Sequence, residues 1–238
     1  MSNWAPKRFW TEAKAIQVDG GHTVQLDGRS IKTPAKTLLK VPTAALAQAI
    51  AAEWDAQVDE VDPATMPVTR MANSALDKVA HQFSEVAEML AAYGDSDLLC
   101  YRATHPDALI ARQAEHWDPL LEWAADTYGA RLVPVAGIMH QPQDSEAVAR
   151  LSEQVYSLNH FEIAAFHDLV AISGSLVLAL SVTANRLSID EAWSLSRLDE
   201  EWQIEQWGED EEASELAQKK RLDIVNAAWF LQASRNET

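Results

Sequence analysis

The chain has 238 residues, of which 47% are hydrophobic and 23% charged, and this balance predicts a folded, soluble protein rather than a disordered one. Its 36 acidic residues outnumber 19 basic residues, so the net charge of -17 opposes nonspecific binding to nucleic acid or anionic lipid. The single cysteine, Cys100, cannot form an internal disulfide, which predicts a reducing compartment.

Short apolar runs alternate with glycine turns in the first forty residues. Asp19-Gly20 and Asp27-Gly28 are strong hairpin signals, because glycine reaches positive φ at no steric cost. The pattern predicts a small antiparallel sheet with strands near residues 15–18, 23–26, 30–32 and 37–41. Thr43 is then expected to cap the first helix. Residues 1–42 contain seven basic and three acidic residues, a net charge of +4, which leaves -21 for the rest of the chain.

Helical periodicity dominates the remainder of the chain. Ser188 and Glu191 have capping-box spacing, which marks one helix start. The most apolar run, 169–182, is too short to span a bilayer and is expected to be part of one buried helix. A break is expected near 78–81. The predicted helices are 43–57, 68–93, 106–128, 145–158, 161–184, 188–207 and 211–233.

These elements predict an α+β protein with two domains. A small, antiparallel β-rich N-terminal domain with one helix is expected at residues 1–70, and a larger, mostly α-helical C-terminal domain at residues 71–238. Neither a repeat nor a flexible linker separates them in the sequence, so the two parts are expected to pack together.

Enzyme motifs are absent from the sequence: it has no phosphate-binding glycine loop, no dinucleotide fingerprint and no zinc-protease helix. No cofactor and no metal are therefore expected. Cys100 lies among apolar residues, which predicts a buried thiol with a raised pKa. Glu115, His116 and Asp118 are the best catalytic candidates and would make the protein an unrecognised hydrolase. Adjacent positions on a helix do not face one another, so this constellation is weak.

Tryptophan is unusually frequent, with nine residues, and two of them lie in an acidic stretch. Residues 199–215 contain nine acidic residues and no lysine or arginine. Glu201 and Glu205 stand one helical turn apart and repel each other unless a cation lies near them. A solvated helix face explains the charges, but Trp202 and Trp207 fit such a face poorly. A partner-binding surface is the alternative, because aromatic rings supply contact energy and charges set the orientation of binding.

Residues 195–208, LSRLDEEWQIEQWG, resemble the signature of the ATP-twelve family of assembly chaperones for the F1 sector of ATP synthase. Further segments occur in the family's order along nearly the whole chain: KRFW at 7–10, IKTP at 31–34, EWDAQ at 53–57, CYR at 100–102 and EHWDP at 115–119. The resemblance implies a β-rich N-terminal part, a larger helical C-terminal part and no catalysis. It also implies that the protein binds the free alpha subunit and prevents its aggregation until the beta subunit replaces it.

The family's important acidic position falls within Asp199, Glu200 and Glu201, and the sequence does not distinguish among the three. Together with the aromatic and charge pattern, the resemblance predicts a partner-binding set on one helix. This set is Asp199, Glu200, Glu201, Trp202, Glu205 and Trp207. The client is expected to be the alpha subunit, with no nucleic-acid binding and no membrane insertion. Because eukaryotic members carry a mitochondrial leader and none is recognised here, a bacterial cytoplasmic protein or a trimmed mitochondrial matrix form is expected.

Overall fold

A computed structural model describes residues 7–235 and shows an α+β protein. A small antiparallel sheet near the N-terminus is followed by a mostly helical part, which confirms the predicted fold class. The strands in the described residues are β1 Ala13–Val18, β2 Gly21–Leu26, β3 Arg29–Ser30, β4 Lys40–Val41, β5 Tyr101–Arg102 and β6 Val135–Ala136. The last two form a separate parallel pair.

The strand β2 is the centre of the N-terminal sheet. It pairs antiparallel with β1 along its whole length, and both β3 and β4 pair with it as well. Asp27 and Gly28 both have positive φ, 47° and 82°, so they form the tight turn that the Asp-Gly signal predicts. The Asp27 carboxylate accepts hydrogen bonds from Thr11 and from the backbone N–H of Glu12, which lowers the pKa of this carboxyl.

Helices make up most of the described chain after residue 43. Several predicted boundaries agree closely with the structure, and the capping box of Ser188 and Glu191 is present. The helices are α1 Ala44–Asp55, α2 Pro67–Ser74, α3 Phe83–Ala91, α4 Asp107–Tyr128, α5 Ser145–Tyr156, α6 His160–Ser173, α7 Leu176–Thr183, α8 Ile189–Ser196, α9 Leu198–Trp207 and α10 Glu211–Ser234. Shorter helical turns lie at Pro63–Thr65, Ala75–Val79, Ala92–Asp95 and Leu98–Cys100.

The single helix predicted for 161–184 is wrong. Gly174 has φ +71° and ends α6, while the Ser175 side chain caps α7 by accepting from the backbone N–H of Leu178. The buried Asp97 carboxylate strengthens the break, because it accepts from Ser175 Oγ at 2.7 Å and from the N–H of Val177 at 3.0 Å. Gly174 and Ser175 therefore end one helix and start the next.

Two other long predicted helices are interrupted. The helix expected at 188–207 is divided at Arg197, whose backbone has φ -110° and ψ 14°, into α8 and α9. The helix expected at 68–93 contains the π turn Ala75–Val79 and then a break before α3, close to the predicted position. In both places the helical periodicity of the sequence continues through a local change of backbone conformation, so periodicity alone overestimates helix length.

The described chain divides into two compact units. The first contains the residues up to Phe83, together with His160–Ala165 and the residues from Trp229 onward. Within it α1 packs against β1 and β2, and Val24, Leu46 and Ile50 are fully buried. Apolar burial of this kind supplies most of the favourable free energy of folding.

The second unit contains Ser84–Asn159 and Phe166–Ala228. Its core includes Trp117, Leu151 and α7, which is buried on all sides from Leu176 to Val182. The Trp117 indole N–H donates to the carbonyl of Leu195 at 3.0 Å, so this ring is packed and also hydrogen-bonded. Nowhere in residues 7–235 is a helix both long enough and apolar enough to cross a bilayer.

Candidate partner-binding site

Helix α9, in the second unit, carries the whole predicted partner-binding set. The three consecutive acids Asp199, Glu200 and Glu201 form its first turn, where negative charge is favoured by the helix dipole. Gly208, with φ +90°, follows the last helical residue and allows the chain to turn toward α10. The acids therefore support the start of this helix, whatever else they bind.

The two tryptophans of α9 have different surroundings. Trp207 is 78% exposed, which is unusual for so large an apolar side chain. Trp202 is half-buried, and the guanidinium of Arg112 on α4 lies 4.7 Å from its ring centroid. A cation over an indole face at this distance is an attractive arrangement. Trp207 is thus available to a partner, whereas Trp202 already has a partner within the chain.

All four acids of the set contact polar or basic side chains of the chain itself. Arg112 donates two hydrogen bonds to Glu205, at 2.8 Å and 2.9 Å, and these hydrogen bonds lower the pKa of the Glu205 carboxyl. Asp199 accepts a hydrogen bond from the Gln113 side chain at 2.7 Å. Arg197 lies 3.9 Å from Glu200 and 3.7 Å from Glu201. The cations that offset repulsion between Glu201 and Glu205 therefore come from the chain itself.

The acids that follow α9 have a different environment. Within residues 7–235, no lysine or arginine forms an ion pair with Glu209, Glu211, Glu212 or Glu215, all of which are exposed. Asp210 caps α10 by accepting from the backbone N–H of Ala213 at 2.8 Å. The strongest uncompensated negative charge of this region therefore lies at the start of α10, beyond the predicted set.

Trp207 stands between two grooves. One groove, of about 430 Å³, lies against the start of α4 and is lined by His105, Pro106, Leu109, Asp199, Trp202, Gln203, Gln206 and Trp207. The other, of about 380 Å³, lies between α9 and α10, with Ile204 and Leu216 among its lining residues. Volumes of this size are typical of clefts that bind ligands or a few side chains.

The candidate hydrolase residues do not form a catalytic group. Glu115 and His116 line a third groove, of about 510 Å³, together with Asp190 and Ser194. Asp118 does not line this groove, and its carboxylate pairs with Arg102 at 2.7 Å. The part of the chain from 7 to 235 also contains no group of three His, Cys, Asp or Glu side chains that could hold a metal.

The predicted environment of Cys100 is confirmed. Its side chain is buried, and burial, followed by the nearby Asp97 carboxylate, raises the pKa of the thiol to about 12. A thiol that stays protonated is a poor nucleophile. Cys100 is therefore a core residue.

Sequence reasoning missed the partners of α9 and the second groove. Arg112 and Gln113 precede their α9 partners by 93 and 86 residues, and no local pattern connects such positions. The groove did leave a signal, because Ala213, Leu216 and Ala217 have the i, i+3, i+4 spacing of an apolar helix face.

Comparisons with known proteins agree on one family. The family model described as "ATP12 chaperone protein" matches residues 7–125. "Protein atp12, mitochondrial" of Schizosaccharomyces pombe is 30% identical over 223 residues, which cover 88% of this chain and 76% of that protein. The crystal structure of Atp12 from Paracoccus denitrificans is 46% identical, with a TM-score of 0.93, and the match covers 96% of this chain and 98% of that one. An aspartate-to-lysine mutant of the Paracoccus protein matches with 45% identity and the same TM-score and coverage.

Proposed function

Because the chain belongs to the ATP12 chaperone family, it is a chaperone rather than an enzyme, and we propose that it assists the assembly of ATP synthase by binding the free alpha subunit. The observation that carries this proposal is the exposed Trp207, which lines two grooves on a strongly acidic helix. The hydrolase alternative falls with the same family assignment, and the separation of Asp118 from Glu115 and His116 agrees with this.

A subunit that waits for its partner exposes the apolar surface that the partner will cover, and large exposed apolar patches cause aggregation. The chaperone covers this surface of the alpha subunit with the face of α9 that carries Trp207. Exposed aromatic residues are the usual anchors of such contacts, since they bury a large apolar area with little loss of side-chain entropy.

The acids of α9 orient the client. Glu200 and Glu201 are exposed, and their contacts with Arg197, at 3.9 Å and 3.7 Å, are too long to be strong ion pairs. Both carboxylates can therefore accept hydrogen bonds from basic groups of the alpha subunit. Asp199 and Glu205 serve mainly to hold α9 against α4 through Gln113 and Arg112.

Release follows from competition, because the beta subunit covers the same surface of the alpha subunit and displaces the chaperone by mass action. A moderate affinity is sufficient for this exchange. The mechanism uses no nucleotide hydrolysis and no cofactor.

The proposal is tested by light scattering during refolding of purified alpha subunit. The unmodified chaperone is expected to suppress scattering, and Glu201→Lys is expected to suppress it less while its circular dichroism is unchanged. Glu146→Lys on α5 is the matched control, because Glu146 also forms an exposed i, i+4 pair with an arginine, Arg150. No suppression by the unmodified protein would overturn the proposal. Equal loss in both variants would remove the acidic face of α9 from it.

A further inference from the structure

Helices α9 and α10 enclose a groove with an apolar floor. Ile204 and Trp207 from α9 face Leu216 and Ala217 from α10 across a space of about 380 Å³. Leu216 is 54% exposed, so two large apolar side chains, Leu216 and Trp207, remain in water at this place. Within the described chain no third element covers them, and such adjacent exposed apolar residues are typical of a binding surface.

The lining of this groove is balanced in charge, because Arg197 and Lys220 are matched there by Glu200 and Asp210. The excess of negative charge lies beside the groove. Around the turn that joins the two helices lie Glu209, Glu211, Glu212 and Glu215, whose carboxylates form no ion pair within residues 7–235. A segment that fills the groove and carries lysine or arginine at its flank would meet this negative charge directly.

We propose that the α9–α10 groove receives one amphipathic helix of the client, with its apolar face against Ile204, Trp207 and Leu216 and with basic residues beside the acidic turn. This inference rests on the proposed function, because it names the part of the alpha subunit that the chaperone holds. The occupant is defined by its chemistry: aliphatic residues at i, i+3 and i+4 and flanking lysine or arginine.

The side chains of α9 and α10 that line the groove are better suited to bind a helix than an extended strand. Two helices joined by a short turn present side-chain ridges to the groove between them, and a third helix packs into such ridges. Binding of an amphipathic helix in an apolar groove is a common recognition mode, in which a few anchors at helical spacing supply most of the affinity. The floor offers side-chain contacts, whereas an added strand would need unpaired backbone groups, which helices do not offer.

A pair of leucine substitutions on α10 tests the use of the groove. Leu216 lines the groove. Leu222 is similarly exposed, at 63%, but does not line the groove. In the full chain, Leu216→Glu is expected to weaken binding of purified alpha subunit by about tenfold or more, since it places a charge against an apolar face. Leu222→Glu is expected to change the Kd by less than about twofold. If circular dichroism shows that Leu216→Glu is unfolded, Leu216→Ser, which adds no charge, takes its place.

The identity of the occupant is tested by photocrosslinking. A photoreactive phenylalanine analogue at position 216 of the full chain is irradiated with purified alpha subunit, and the crosslinked peptide is mapped by mass spectrometry. The expected peptide is an amphipathic helical segment with lysine or arginine at its flank. Crosslinks to an extended or acidic segment would overturn the inference.

The outcomes separate the two proposals. If the unmodified chaperone does not bind the alpha subunit, the proposed function fails and this inference fails with it. If binding is normal but Leu216→Glu and Leu222→Glu have equal affinities, only the groove is excluded, and the proposed function stands.

Discussion

Arg112 on α4 donates two hydrogen bonds to Glu205 on α9, at 2.8 Å and 2.9 Å, and its guanidinium lies 4.7 Å from the ring centroid of Trp202. One side chain thus fixes both an acid and an aromatic ring of the candidate binding helix. A two-point arginine–carboxylate contact sets the orientation more strictly than a single ion pair does. The contacts of Arg112 with Glu205 and Trp202 therefore hold α9 in place while Trp207 stays exposed.

The Arg112–Glu205 contact predicts a pH-dependent contribution to stability. The hydrogen bonds from Arg112 lower the pKa of Glu205 below its ordinary value of 4.5. A carboxyl whose pKa is lowered by folding stabilises the folded state above its unfolded pKa, and this contribution is lost as the pH falls through the folded pKa. Glu205→Gln should therefore lower the Tm at pH 7 and have a smaller effect at pH 3.

Thermal unfolding followed by circular dichroism checks this difference. Glu153, an exposed glutamate on α5, supplies the control variant Glu153→Gln. A Tm difference for Glu205→Gln that grew on acidification would contradict the assignment of the contact.

Asp97 is expected to be essential for the stability of the second unit. Its buried carboxylate accepts from Ser175 Oγ at 2.7 Å and from the N–H groups of Val177 and Leu99, each at 3.0 Å, while burial raises the pKa of this carboxyl. Asp97→Ala would leave these donors without an acceptor and should lower the free energy of unfolding by about 3 kcal/mol or more. Asp97→Asn keeps one acceptor and should cost less. Urea unfolding curves measure both, and a loss below about 1 kcal/mol for the alanine variant would refute this role.

Cys100 should resist modification in the folded protein. With a thiol pKa of about 12, the thiolate fraction at pH 8 is about 10⁻⁴, and burial further blocks access. Labelling by iodoacetamide should be slow at pH 8 and fast once urea unfolds the chain. Raising the pH from 7 to 9 in the absence of urea should not give the steep titration of an exposed thiol near pH 8.5. Such a titration, in protein that remains folded, would contradict a buried Cys100.

The local turns and the broad architecture were predictable because their causes are local. Asp27-Gly28 forms its turn because both residues adopt positive φ, and the Ser188–Glu191 cap needs only residues three apart. The break at Gly174 was not predicted, because the decisive acceptor, Asp97, lies 78 residues away from Ser175. The family resemblance was recognised from the order of short motifs along the chain. Hydrophobic periodicity carries no information about that order.

The candidate site was predictable only in its outline. The acids and tryptophans of α9 stood out in the sequence, but their environments depend on distant residues such as Arg112. From the sequence alone, the exposed Trp207 could not be separated from the half-buried Trp202. Nor could the acids with internal partners be separated from Glu212 and Glu215, which form no ion pair within residues 7–235.

The central proposal, that α9 anchors a client through Trp207, is tested most directly by isothermal titration of purified alpha subunit into three forms of the full chain. Trp207→Ala should weaken binding by about 2 kcal/mol or more, roughly 30-fold in Kd, relative to the unmodified chain. Trp229→Ala is the matched control, because Trp229 is also exposed, at 44%, but lines neither groove beside α9. The Kd of this variant should equal that of the unmodified protein. Equal affinities for all three forms would contradict the account.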